Sequence, residues 1–163
     1  MRVNRERSHV LVLPEDKANR QLANGFLRDQ AVSTRSIQVL EEAGGWHEVV
    51  ARFISDHVAL MNRYPGRSMI LLIDFDGDVS RVNLVKTQIP EALRERVYVL
   101  GALNEPEDLK SAGLGSYETI GLAMARDCRE DTDRTWGHEQ LKHNAAELER
   151  LRGRVRPVLF PSA

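Results

Sequence analysis

The chain has 163 residues, 42% apolar and 29% charged, with 23 basic and 24 acidic side chains for a net charge of −1. That composition belongs to a folded domain and excludes a disordered polyelectrolyte, while the balanced charge excludes a global basic field that would steer the protein onto DNA. The lone cysteine, Cys128, excludes an internal disulfide and a cysteine-rich zinc site, and an aromatic content of 6% supplies no base-stacking platform.

Apolar residues 9–13 read as a first strand, ended by Pro14-Glu15-Asp16. Residues 17–27 carry Ala18, Leu22, Ala23, Phe26 and Leu27 near helical spacing. A short second strand is expected at 36–40. A helix comes next over 46–62, with Val49, Val50, Phe53, Ile54, Val58 and Met61 inward and His47 and His57 facing solvent. Tyr64-Pro65-Gly66 stops it, and residues 68–73 form the unbroken apolar run of a central strand covered on both faces. A helix through Val82, Leu84 and Val85 runs to Ile89-Pro90, and 96–100 makes a fourth strand leaving through Asn104-Glu105-Pro106-Glu107-Asp108.

Beyond that point the pattern is helical over 117–128, with Cys128 expected as an inert, half-buried thiol, and again over 137–151. Trp136, His138, His143 and Asn144 read as a helix cap and packing anchor, and 155–160 as a late edge strand. Alternating strands and helices predict an α/β fold: one domain over 1–163, with a mostly parallel sheet of about four strands flanked by helices. Its core is 8–110 and its helical C-terminal extension 111–163. The charged start and the short apolar run from Val10 to Leu13 suit neither a signal peptide nor a membrane span, so a cytoplasmic protein with no membrane partner is expected.

The densest signal is Met69-Ile70-Leu71-Leu72-Ile73-Asp74-Phe75-Asp76-Gly77-Asp78, where an apolar strand runs into alternating carboxylates. Like charges held that close repel and call for a cation, here a hard one, Mg²⁺ or Mn²⁺. Right-handed crossovers place the exits of strands one, three and four on one sheet edge, gathering Glu15, Asp74, Asp76 and Glu105 or Glu107. Asp74 and Asp76 alone suit one hydrated ion, whereas the whole set suffices for two ions about 4 Å apart. Asp78 is a further ligand candidate, or a cap for the next helix. Lys17, Arg20 and Lys86 lie just past these strand ends, as candidate phosphate contacts or as solvated helix residues.

On Glu15 after the first strand and Asp74-Phe75-Asp76 after the third, the chain resembles the Toprim family, the catalytic domain shared by topoisomerases, bacterial primases, recombination proteins and overcoming-lysogenisation-defect nucleases. Glu105-Pro106-Glu107-Asp108-Leu109 is similar to an acidic element that follows the fourth strand in nuclease-like members. The resemblance covers about residues 8–110, and Asp16 stands where the family's first motif usually has glycine. It implies a Toprim/Rossmann-like sheet in which Asp74 and Asp76 chelate Mg²⁺, while Glu15 completes the metal site or acts as general acid/base. The implied activity is metal-dependent cleavage of DNA or RNA phosphodiesters. The alternative is a noncatalytic Toprim-like module working with a partner protein, such as an ATPase, in defence or DNA repair.

Three other motifs overlap this sequence in part. Asp74-Phe75-Asp76-Gly77 also resembles the opening motif of haloacid-dehalogenase phosphatases, which keeps phosphomonoester hydrolysis as a lesser alternative. The same stretch fails as an EF-hand, with Val85 where the bidentate glutamate belongs. His138 and His143 are five residues apart, which points them away from a shared zinc.

Overall fold

Residues 2–162 are described by the computed structural model. Strand β1 (His9–Pro14) leads to helix α1 (Lys17–Phe26) and strand β2 (Ile37–Val39). Helix α2 (Trp46–Arg52) continues through a π-turn (Phe53–His57) into α3 (Val58–Arg63), then strand β3 (Arg67–Leu72), α4 (Arg81–Gln88) and strand β4 (Val97–Leu100). Helices α5 (Pro106–Ser111), α6 (Tyr117–Glu130), α7 (Ala145–Arg154) and α8 (Arg156–Leu159) complete it. The four strands form one parallel sheet in the order β2-β1-β3-β4.

Period-two alternation sorts the strand side chains into two cores. Val10, Val12, Ile70, Leu72, Tyr98 and Leu100 face a cluster closed by α1, α6, α7 and α8. Leu11, Leu13, Met69, Leu71, Val97 and Val99 face one closed by α2, α3 and α4. Because both faces are covered, the strands are continuous apolar runs. Helices α1 and α6 cross backbone to backbone: a Cβ on Gly121 would lie 2.0 Å from the Leu22 carbonyl oxygen, and one on Gly25 would lie 2.2 Å from that of Glu118.

The structure corrects several sequence expectations. Residues 155–160 form no edge strand. The free flank of β4 is taken by side chains instead: Glu147 accepts from the Val99 N–H at 2.9 Å, and the Asn144 amide brackets Gly101, accepting from its N–H at 3.1 Å and donating to its carbonyl at 3.0 Å. With that edge satisfied, Pro157 enters the first turn of α8, and Val155, Leu159 and Phe160 bury against the first core. Helix α7 begins at Ala145 rather than 137, after a short 3₁₀ turn at Lys142–Asn144. Before it, Trp136 is buried with its indole N–H donating to the Met124 carbonyl, and His143 meets the Phe75 ring at 4.8 Å. Helix α5 was not anticipated.

The π-turn also shifts a helical face. The Val58 N–H reaches back five residues to the Phe53 carbonyl, and the extra residue rotates the face of the helix beyond it. Ile54, expected inward, is 42% exposed, while His57 is half-buried with Nδ1 lacking a hydrogen-bond partner. Cys128 is fully buried rather than half-buried, and burial pushes its thiol up to about 11. Among the described residues, no helix is long and apolar enough to cross a membrane.

Candidate functional site

All four strands run the same way, so the exits of β1, β3 and β4 lie together at the carboxyl edge of the sheet. Glu15 prolongs β1 by donating its N–H to the Leu72 carbonyl at 2.9 Å. Its side chain then turns across to β3, where one carboxylate oxygen accepts from the Asp74 N–H at 2.5 Å. The pairing of β3 with β4 also continues outward, through Ile73 N–H to Leu100 and Phe75 N–H to Ala102. That extension delivers Asp74 to the edge while keeping it only 8% exposed.

Asp74 is held from a third direction. Asp16 caps α1, its carboxylate accepting from the Asn19 N–H at 2.9 Å and from the Asn19 side-chain amide at 3.0 Å. Asn19, fully buried, donates the same amide nitrogen to Asp74 at 2.8 Å. Its own carbonyl oxygen is buried without a partner. A single cap thus orients the amide that orients the acid.

Asp76 behaves differently. The chain turns through positive φ at Asp76 (50°) and Gly77 (79°), and the Asp76 carboxylate swings out to an ion pair with Arg81 at 2.7 Å. The same Arg81 nitrogen donates to the Asp74 carbonyl at 2.8 Å, and the guanidinium lies 4.7 Å from the centroid of the Trp46 ring. Ring and carboxylate together fix the plane of this fork.

Burial pushes the Asp74 carboxyl up to about 7; the Asn19 hydrogen bond opposes this, and the neighbouring charges of Glu15, Asp16 and Glu107 add to it. Burial also raises Glu15, against the pull of the Asp74 N–H and with the repulsion of Asp16 and Asp76. Glu105 is raised first by Glu107 and then by burial, Asp108, Asp76 and Asp16. These mutual effects put the acids of three strand exits in one electrostatic field.

The remaining candidates sit as follows. Glu105 and Glu107 are solvent-exposed at the start of α5. Asp78 is also exposed, and its carboxylate accepts from the Ser80 N–H at 3.0 Å and the Ser80 hydroxyl at 2.5 Å, a turn-forming role leading into α4. Lys17 is exposed on α1, and Arg20 pairs with Glu42 at 3.0 Å. Lys86 is bound by Glu147 in a brace between α4 and α7. Sequence reasoning passed over Asn19, Arg81 and Trp46. The Asp16-to-Asn19 spacing of a helix cap was the one signal available for the first of them.

Among the described residues, no three His, Cys, Asp or Glu side chains form a ready ligand set for a metal ion. The donors that fit a hard cation are Glu15 and Asp74: both are carboxylates, both are turned inward, and neither makes an ion pair with Lys or Arg among the described residues. Mg²⁺ is commonly bound through one or two carboxylates and keeps several waters, so this pair meets its needs. No protein-family model, curated protein or solved structure matches the chain.

Proposed function

We propose that this protein is a metal-dependent phosphodiesterase acting on nucleic acid, with its centre at Glu15 and Asp74. One observation carries the reading: the buried Asp74 and the half-buried Glu15 come together from adjacent strand exits, and neither carboxylate forms an ion pair with Lys or Arg among the described residues. Such a pair costs free energy unless a counterion joins it. Glu15 and Asp74 would hold Mg²⁺ or Mn²⁺, and the ion would supply charge stabilisation for the phosphate oxygens.

The chain's own groups do the positioning. Asn19 fixes the Asp74 carboxylate, and the Asp74 N–H fixes that of Glu15. Arg81, steadied by Asp76 and Trp46, presents a guanidinium beside the acids that matches a phosphate's geometry. Glu105 and Glu107 form an exposed acidic rim, suited to a second ion brought in with substrate.

A second reading draws on Asp76. Its carboxylate is already neutralised by Arg81, which favours a noncatalytic module that keeps the acid edge for contact with a partner protein, an ATPase being the kind expected. Incubating the protein with plasmid, single-stranded DNA, RNA and a phosphomonoester, each with Mg²⁺, Mn²⁺ or chelator, separates the two. Metal-dependent cleavage of nucleic acid that disappears in Asp74→Asn is the expected result. Turnover of the phosphomonoester alone would favour the phosphatase-like alternative, and inactivity on every substrate would favour the module.

A further inference from the structure

The opposite edge of the sheet carries the reverse charge. Arg5 and Arg7 precede β1, and Arg63 ends α3 just before β3, whose first residue is Arg67. The register of β1 and β3 pairs His9 with Arg67 and brings the two segments together. Three guanidiniums crowd one ring: Arg5, Arg63 and Arg67 lie 5.6, 5.4 and 5.2 Å from the centroid of Tyr64. None of Arg5, Arg7, Arg63 and Arg67 makes an ion pair with a carboxylate among the described residues. Glu6 is the one acid, among the described residues, that lines the open depression they surround.

This cluster is built rather than a loose tail. Val3 is buried in the second core, Asn4 donates its N–H to the Arg35 carbonyl at 3.0 Å, and Arg7 donates its own back to Asn4 at 3.3 Å. Arg67 is 2% exposed, with Nε donating to His9 Nε2 at 2.9 Å, and lies beneath the Tyr64 ring as a fixed charge. Arg5, Arg7 and Arg63 are exposed above it. Cation–π contact with Tyr64 positions the guanidiniums without cancelling their charge.

We propose that this amino-edge arginine cluster binds consecutive phosphates of a nucleic-acid strand, an inference that rests on the phosphodiesterase reading and names the face that grips its substrate. The ligand chemistry is set by several guanidiniums, each a fork for phosphate oxygens. A polymer backbone is favoured over a small phosphorylated molecule because Arg5, Arg7 and Arg63 are all exposed around an open depression, whereas small-molecule sites enclose most of their ligand. The six-residue strand β1 separates this face from the acid edge, by about 20 Å at the usual strand rise. Cleavage is therefore offset from the point of grip, and a substrate too short to span that distance gains nothing from the arginines.

The test measures binding of a fluorescent single-stranded oligonucleotide to the full chain in chelator, for wild type, the double variant Arg5→Ala/Arg63→Ala and the charge-keeping Arg5→Lys/Arg63→Lys. Unfolding curves confirm that each is folded. The alanine pair is expected to bind about tenfold more weakly, and its salt dependence to flatten by about 1.4 in log–log slope, as for two lost phosphate contacts on a single strand. The lysine pair should recover most of the affinity. Unchanged binding in the alanine pair, or binding of pyrophosphate with none of the oligonucleotide, overturns the proposal. Cleavage measured in parallel keeps the two ideas apart: binding without metal-dependent cutting rejects the phosphodiesterase reading alone, and cutting that is indifferent to the alanine pair on long strands rejects the grip alone.

Discussion

The two edges of the sheet bury opposite charges, Asp74 at one and Arg67 at the other, and neither has an ionic partner of opposite sign among the described residues. The protein handles them by different chemistry. A carboxyl group sheds its charge by keeping a proton, and burial moves Asp74 to about 7. A guanidinium has no such exit: burial lowers Arg67 from its ordinary value, but the group stays protonated at any physiological pH. It is given a ring face and the lone pair of His9 instead. On the proposed reading the acid edge would exchange its proton for a metal ion, while the arginine edge, whose charge is permanent, would hold an anion.

The largest effect expected from breaking this contrast is on activity. Asp74→Asn keeps the shape and the Asn19 contact but removes the charge, and the loss of several kcal/mol of metal-assisted stabilisation corresponds to at least about a 10³-fold fall in cleavage rate. Steady-state assays with saturating Mn²⁺ check it, and a variant retaining a tenth of the rate would remove Asp74 from the centre. Next comes Arg67→Ala, which empties a buried site and leaves His9 Nε2 without its donor. It should lower unfolding free energy by about 3 kcal/mol, read by urea denaturation. The two substitutions should diverge in sign, because Asp74→Asn removes a charge that burial disfavours and should stabilise the metal-free protein near neutral pH.

Much of the acid edge was legible in sequence because strand exits are short and local: an apolar run followed by Asp74, and another followed by Glu15, need only the parallel order to meet. Asn19 was not, since a polar residue on a helix reads as solvated until its neighbours are known. Arg81 was hidden by its position past a turn whose positive φ at Asp76 no pattern announced. The arginine edge was less legible still, because Arg5 and Arg63 are far apart in the chain and only strand register joins them. Helix α5 is six residues long and opens on Pro106, too short for periodicity to mark. The π-turn broke the phase that had placed Ile54 inside.

A smaller effect tests how the acid is held. Asn19→Ala leaves every carboxylate in place but frees Asp74 to rotate, and loss of such a supporting hydrogen bond typically weakens metal binding 10–100-fold. Mn²⁺ titration followed by calorimetry reads it directly. Asn19→Asp, which replaces the donor with a fourth acid beside Glu15, Asp16 and Asp74, should weaken binding at pH 8 less than it destabilises the metal-free fold. An alanine variant with wild-type affinity would mean that Asn19 serves the cap at Asp16 alone.

The gentlest probe is pH. Asp74 titrates near 7 in the folded protein against an ordinary 3.8, so between those values the native state holds a proton that the unfolded chain has released. Stability must then fall as pH rises through this window, by at most about 1.4 kcal/mol per pH unit from this group, and level off above 7. Glu15, raised in the same sense, adds to the fall. A salt-bridged carboxylate behaves otherwise, its stabilisation growing with pH below about 4 and levelling off above, so a fall between about pH 4 and 7 identifies a buried acid without a cation. Asp74→Asn should flatten it. In wild type, millimolar Mg²⁺ should raise the melting temperature more at pH 8, where Asp74 is ionised and ready to bind, than at pH 5, where the ion must displace a proton. A Mg²⁺ effect equal at both values would show that the ion binds elsewhere, and that the Glu15–Asp74 pair at the carboxyl edge is a structural acid cluster tolerated by proton uptake alone.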